Sequence, residues 1–288
     1  MNEIFSFFSS IGLGLAFILF SGTVFTGVVV LVDCIWQRKL IKAGEDNRKT
    51  TPVLIDYCRS LFPVFLIVVV LRSFVVQPYV VPTGSLEPTI MPGDFIFVEQ
   101  FAYGIKLPIW NKTIIPIGEL HRGDIALFHY PVNPNLNFIK RVIGLPGDKI
   151  SYHNKQLTIN GKKVTETFLK DTTANEPGFG PYKVKIYKEN LLGLQHEIQI
   201  SNDKRLNSID NKPDFTNLIV PQGEYFMMGD NRDNSEDSRY WGFVPKKDFI
   251  GKAKFVFLHM KPNGHWFSGH FPFFLVDKVG WDRIGKGL

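Results

Sequence analysis

The chain has 288 residues, 44% hydrophobic and 21% charged, with a formal net charge of +6. That length holds either membrane anchors plus one sizeable folded domain or two small soluble domains. The positive balance is small and partly local to one loop, so nucleic-acid binding does not follow from it.

From Ile4 to Val32 there is no charged side chain. The part from about Ile11 to Val32 supplies the roughly 20 apolar residues that a helix needs to cross a bilayer. Residues 1–35 are therefore read as an N-terminal tail and a first transmembrane helix. A cleaved secretory signal would open on basic residues and be shorter, whereas this chain opens on Met1, Asn2 and Glu3. Residues 36–59 form a basic loop, with Arg38, Lys39, Lys42, Arg48, Lys49 and Arg59 against Glu45, Asp46 and Asp56. The positive-inside rule puts that loop in the cytoplasm.

Residues 60–77 form a second apolar stretch, broken by Arg72, whose guanidinium can snorkel to the far interface. Pro63 and Pro78 suit a helix with defined limits. A core helix or a buried strand pair is the alternative for this shorter stretch. Two spans return the chain to the outer side, so residues 78–288 are expected to face outward, which in a Gram-negative cell is the periplasm. Cys34 and Cys58 flank the basic loop and the outward domain has no cysteine, so packing alone must hold that domain together.

Beyond Gln77, short runs of β-branched and aromatic residues alternate with turn residues. Strands are expected from Asp94, Asp124, Phe138, Lys149, Gln156, Lys163, Glu224 and Lys252. Asn160 and Gly161 both tolerate positive φ and predict a tight hairpin turn. Residues 171–217 are polar, carry no assignable motif and read as a hairpin-bearing insertion. The fold class expected is two transmembrane helices followed by a mainly β catalytic domain, with about 151–220 an inserted or peripheral β subdomain.

Three segments carry chemistry. In PTGSLEPT, Gly84 and the prolines at 82 and 88 make a stiff turn that can present the Ser85 hydroxyl, although such a serine is by itself an ordinary turn residue. None of the seven histidines sits in a recognisable catalytic setting. A lysine can replace histidine as the base when burial lowers its pKa from about 10.4 toward neutrality. Lys140, in NFIKRVIGLPGD, qualifies where its neighbour Arg141 does not, because a guanidinium stays charged. By spacing alone Lys140 reads first as a strand-edge lysine covering apolar surface. The third segment, GDNRDNSEDSRYWGFVP from Gly229 to Pro245, lacks the spacing of a calcium-binding loop and suits the hydrogen bonding of a buried site.

In this order, the apolar segments, the basic loop, PTGSLEPT, PGDFIFVEQFAYGIK, RGDIALF, FIKRVIGLPGD and GDNRDNSEDSRYWG resemble the bacterial type I signal peptidases, or leader peptidases. The likeness is to the two-span Gram-negative kind of these Ser/Lys proteases of family S26, and it covers nearly the whole chain. It implies a signal-peptidase-like antiparallel β fold in a multi-pass protein of the inner membrane, working on the lipid bilayer beside the secretion translocon. The substrates implied are the signal peptides of exported preproteins, with no cofactor, no metal and no nucleic acid.

Carried onto this sequence, the resemblance makes Ser85 the nucleophile and Lys140 its base, with Ser235 orienting the ammonium. The Ser85 N–H and the Thr83 hydroxyl would form the oxyanion hole, and Asp237 with Arg239 a supporting ion pair. Tyr79, Val81, Pro82, Leu86, Ile90, Leu127, Phe138 and Ile139 would wall the substrate site. Many members have Ser where this chain has Thr83 and Met where it has Leu86; both changes keep the donor or the volume. The C-terminal aromatics Trp266, Phe267, Phe271, Phe273, Phe274 and Trp281 are expected partly in the core and partly at the membrane interface. Two other readings are a Ser/Lys self-cleaving repressor-like protease and a membrane-tethered, non-enzymatic peptide-binding protein.

Overall fold

The structure, a computed structural model, describes residues 2–42, 52–70, 76–106, 113–115, 117–176, 180–203, 214–262 and 276–288. It divides into two units, Met1–Val76 and Gln77–Leu288.

The first unit holds α1 (Asn2–Lys42) and α2 (Val53–Val70). Phe17–Lys39 and Val53–Val70 are each long and apolar enough to cross a membrane, and only 11% and 6% of their most apolar windows is buried. The two helices pack through small residues. Phe65 lies over Gly22 and Phe62 over Gly27, where a side chain would meet the rings. Arg59 crosses to Asp33 with hydrogen bonds of 2.5 and 3.1 Å, and Asp33 is 6% exposed.

These helices correct the limits read from hydropathy. α1 continues past residue 35 to Lys42, and α2 opens at Val53, so both ends of the loop expected at 36–59 are helical. Val76 and Gln77, expected to close the second span, lie in a strand. Hydropathy marks where a helix is apolar and not where it ends: Asp33 and Arg59 extend the helical pair beyond the apolar stretches. Arg72, Glu45, Asp46, Arg48 and Lys49 lie outside the described residues.

The second unit is built from strands: β1 (Val76–Val80), β2 (Asp94–Glu99), β3 (Ile105–Lys106), β4 (Thr113–Ile115), β5 (Ile125–Tyr130) and β6 (Asn133–Gly144). They are followed by β7 (Lys149–His153), β8 (Gln156–Ile159), β9 (Lys162–Lys163), β10 (Thr165–Glu176), β11 (Gly180–Leu191) and β12 (Leu194–Ser201). The last are β13 (Phe215–Ile219), β14 (Glu224–Met228), β15 (Val244–Pro245), β16 (Phe249–Pro262) and β17 (Val276–Val279), with a short helix α3 (Ser238–Trp241) after β14. The main sheet has the order β1-β2-β16-β5-β6-β14-β15, with β17 paired to β16. A four-stranded sheet β13-β7-β8-β9 and a three-stranded sheet β10-β11-β12 stand beside it.

The expected strands form because their alternating apolar residues face common interiors. In β2, Ile96 and Val98 are buried between partly exposed neighbours, and they pack with Ile125, Leu127, Ala253 and Val256. Asn160 (φ 52) and Gly161 (φ 76) make the predicted turn between β8 and β9. The segment left without a motif contains half of β10, all of β11 and β12, and part of β13; its residues 177–179 and 204–213 lie outside the described residues. β11 did carry a signal: Tyr182, Val184 and Ile186 are buried and alternate with exposed Pro181, Lys183 and Lys185. Of the C-terminal aromatics, Trp266, Phe267, Phe271, Phe273 and Phe274 lie outside the described residues, and Trp281 is 78% exposed.

Candidate active site

The serine sits in a loop closed at its neck. The Val81 N–H donates to the Asp94 carbonyl at 2.9 Å and the Gly93 N–H to the Val81 carbonyl at 2.8 Å. Within that loop Leu86 and Ile90 are 0% exposed and plug into the cluster of Val81, Ile96, Val98, Ile125 and Leu127. Burying Leu86 fixes the backbone beside it, and Ser85 is left 7% exposed.

β6 brings Lys140 to that hydroxyl. Its Nζ lies 2.5 Å from Ser85 Oγ, and Lys140 is 5% exposed. Burial lowers its pKa to about 8, against the opposing pull of Asp237 and Glu236; Arg239 adds a smaller downward push. Phe138 lies under the ammonium at 5.6 Å and stacks on Tyr130, so the lysine is held in an aromatic setting. Arg141, the next residue, pairs with Asp230 through 2.7 and 2.6 Å hydrogen bonds.

The polar run after β14 wraps this centre, and several of its charged side chains are paired. Asp230 accepts from Thr89 at 2.6 Å as well as from Arg141, which fastens β6 to the Ser85 loop. Burial works to raise the Asp230 pKa, but Arg141, with His196 and the Thr89 hydroxyl, together outweigh it and keep the carboxyl below its usual range. Arg232 pairs with Glu189 of β11 at 2.6 Å, both fully buried. Asp233 accepts from the Ser201 N–H at 2.7 Å and pairs with Lys155 at 2.9 Å.

Asp237 is the hub nearest the lysine. Its carboxylate accepts from Arg239 Nε and Nη2 at 2.8 Å, from the Ser235 hydroxyl at 2.8 Å and from the Gly229 N–H at 3.0 Å. It also caps α3. Burial acts to raise its pKa, and Arg239 with these donors more than reverses that. Because the Ser235 hydroxyl donates to Asp237, only its lone pairs remain for Lys140. Gly229 is tight: a Cβ there would overlap the Ser235 hydroxyl and the Ser85 carbonyl.

The expected substrate wall divides. Leu86 and Ile90 at 0%, Val81 at 2% and Leu127 at 4% exposure are interior residues, so they support the wall from behind and do not form its surface. Tyr79 and Ile139 pack on that cluster while keeping some exposure, and Pro82 and Phe138 are also half-buried. Sequence alone cannot separate the two sets, since a bulky apolar side chain suits a core and a pocket equally. Reading by motif also passed over Thr89, Arg141, Asp230 and Asn231. Asp230 and Asn231 were signalled by the density of polar residues beside an apolar strand, and Thr89 and Arg141 by lying within the two motifs that carry Ser85 and Lys140.

Such a fold and site define a serine hydrolase, and comparison with known proteins narrows it. Residues 54–258 match the family described as signal peptidase, peptidase S26. The chain is 46% identical over 219 residues to signal peptidase I of Pseudomonas aeruginosa, covering 72% of this chain and 73% of that one. It is 45% identical over 218 residues to signal peptidase I of Pseudomonas fluorescens, covering 72% and 73%. Against signal peptidase I of Buchnera aphidicola subsp. Baizongia pistaciae it is 35% identical over 310 residues, covering 93% and 97%. The chain belongs to the signal peptidase, peptidase S26, family, and it is a peptidase.

Proposed function

We propose that this protein is anchored in the inner membrane by α1 and α2 and cleaves signal peptides from exported preproteins at its periplasmic face, beside the translocon. Ser85 is the nucleophile and Lys140 its base. The observation that carries this reading is the buried 2.5 Å contact between Ser85 Oγ and Lys140 Nζ. Neutral Lys140 takes the Ser85 proton as Oγ attacks the scissile carbonyl, and the resulting ammonium returns a proton to the leaving amine. Water then attacks the acyl-enzyme with the same lysine as base.

The oxyanion is held by the Ser85 N–H and the Thr83 hydroxyl. Neither donates to another described residue, which leaves both available to substrate. The Asp237–Arg239 pair fixes the Ser235 hydroxyl, which with the Ser85 carbonyl closes on Gly229, and this supports its part in orienting the ammonium. A repressor-like protease is disfavoured because two apolar helices stand where a DNA-binding domain would. A non-enzymatic peptide binder has no use for a lysine buried against a serine.

Strand addition gives the substrate its place. β1 ends the main sheet, and β14 pairs with β6 only from Arg141 onward, which leaves an edge at Phe138–Lys140 among the described residues. Alternate substrate side chains then face Tyr79, Pro82, Phe138 and Ile139. Full-length protein in detergent micelles should convert a preprotein to its mature form; no product would overturn the reading. In a series of preproteins, Ala, Gly or Ser at the first and third positions before the cut should be accepted. Leu, too large for a shallow pocket, and Lys, whose unpaired charge would cost several kcal/mol to bury in an apolar wall, should each reduce kcat/KM by about 100-fold or more. Equal cleavage across the series would mean that these residues do not select substrate.

The pH profile follows from the lysine. Its protonated form cannot act as base, so kcat/KM should level off above about pH 8 and fall about tenfold per unit below it. A profile flat down to about pH 5 would contradict a lysine base.

A further inference from the structure

Among the described residues the Asn231 side chain has a single hydrogen bond, and it goes to the nucleophile turn. Asn231 is 0% exposed, and its Nδ2 donates to the Gly84 carbonyl at 3.1 Å. Its backbone N–H donates to the next carbonyl, that of Ser85, also at 3.1 Å. The side-chain Oδ1 is buried with no hydrogen-bond partner among the described residues. A buried amide with an unsatisfied acceptor is unfavourable, so stability does not account for an asparagine here.

The peptide unit that Asn231 holds is the one that matters for the reaction. The Gly84 carbonyl and the Ser85 N–H belong to one trans peptide, in which C=O and N–H point in opposite directions. Fixing the carbonyl on the Asn231 side therefore aims the N–H away from it, toward the substrate side of the turn. The same bond polarises the amide and strengthens its N–H as a donor.

Asn231 is itself held on its far side by β12. The Arg232 N–H donates to the Gln199 carbonyl at 2.9 Å, and the Gln199 N–H donates to the Asp230 carbonyl at 2.9 Å. Asn231 pairs with Gln199 in an isolated parallel bridge. The clamp thus rests on the three-stranded sheet and not on the mobile tip of a loop.

We infer that Asn231 is a positioning residue that aims the Ser85 N–H at the oxyanion by holding the Gly84 carbonyl from behind. This rests on the reading that the Ser85 N–H stabilises the oxyanion. Asn231→Asp keeps the shape but places an acceptor against the Gly84 carbonyl, and Asn231→Ala removes the donor. In both variants kcat should fall roughly 10- to 100-fold with KM nearly unchanged, less than the loss from deleting a donor outright.

The decisive comparison uses two peptides matching the substrate up to the cut, one ending in an aldehyde and one in the corresponding primary alcohol. With the aldehyde, Ser85 Oγ bonds to the carbonyl carbon, the C=O π pair moves onto oxygen and the Ser85 proton passes to Lys140. The alcohol cannot form this adduct and reports ground-state binding only. In wild type the aldehyde should bind far tighter than the alcohol; equal binding would overturn the Ser85 oxyanion reading itself. In both Asn231 variants the aldehyde should lose affinity by the same factor as kcat while the alcohol keeps its own. If wild type discriminates and either folded variant discriminates equally well, the role of Asn231 is wrong. A parallel loss for both peptides, tracking a lowered melting temperature, would make Asn231 structural and would also overturn it.

Discussion

Lys140→Arg should leave the protein folded and lower kcat by about 10³-fold, because a guanidinium cannot give up a proton to become a base. Ser85→Ala should lose as much. The double variant Ser85→Ala with Lys140→Met should lose no more than either single one, since the pair acts as a unit. Additive losses would mean that the two side chains work independently, despite lying 2.5 Å apart.

Stability gives a second test of the same lysine, which supports activity but costs stability. The folded pKa of about 8 lies below the ordinary 10.5. Between those values the unfolded chain binds the extra proton, so stability rises with pH through that window. Below about pH 8 the penalty is complete, about 3 kcal/mol from the size of the shift. Lys140→Met removes it, so the variant should melt above wild type near pH 7, and the gap should close on approaching pH 10.5. Melting curves across that range would check it. A gap independent of pH would mean that Lys140 is not desolvated.

Gly229→Ala should be nearly as damaging through a single methyl group. That carbon would collide with the Ser85 carbonyl and the Ser235 hydroxyl, so the Ser85 turn or the Asp237 hub must shift. A misplacement near 1 Å costs on the order of 100-fold in rate, so kcat should fall by at least that much. Overpacking should lower stability by about 1–3 kcal/mol. Gly161→Ala makes a fair control, because a Cβ there has open space but a positive φ, 76°, in the hairpin between β8 and β9. It should cost about 1 kcal/mol and leave kcat unchanged. Comparable kcat values in the two variants would show that Gly229 does not set the geometry of the site.

The sequence by itself determined the local features of this protein. One long uncharged stretch and a shorter apolar one mark the helices, alternating apolar residues mark the strands, and the Asn160–Gly161 pair marks its turn. Each is a property of neighbouring residues, and each survives in the structure. The serine, the lysine and the polar run could likewise be singled out by residue type and surroundings. Only the tertiary structure brought Ser85 and Lys140 together across 55 positions of sequence. It made Leu86 and Ile90 a buried plug where a pocket wall was expected, and it gave the Ser235 hydroxyl to Asp237. It also showed that Gly229 must stay bare and that Asn231 reaches the Gly84 carbonyl. These outcomes depend on which sheet face covers which residue and on strand pairings between distant segments. A side chain's type fixes what it can bond to, but the partner is decided by the packing that takes both groups out of water.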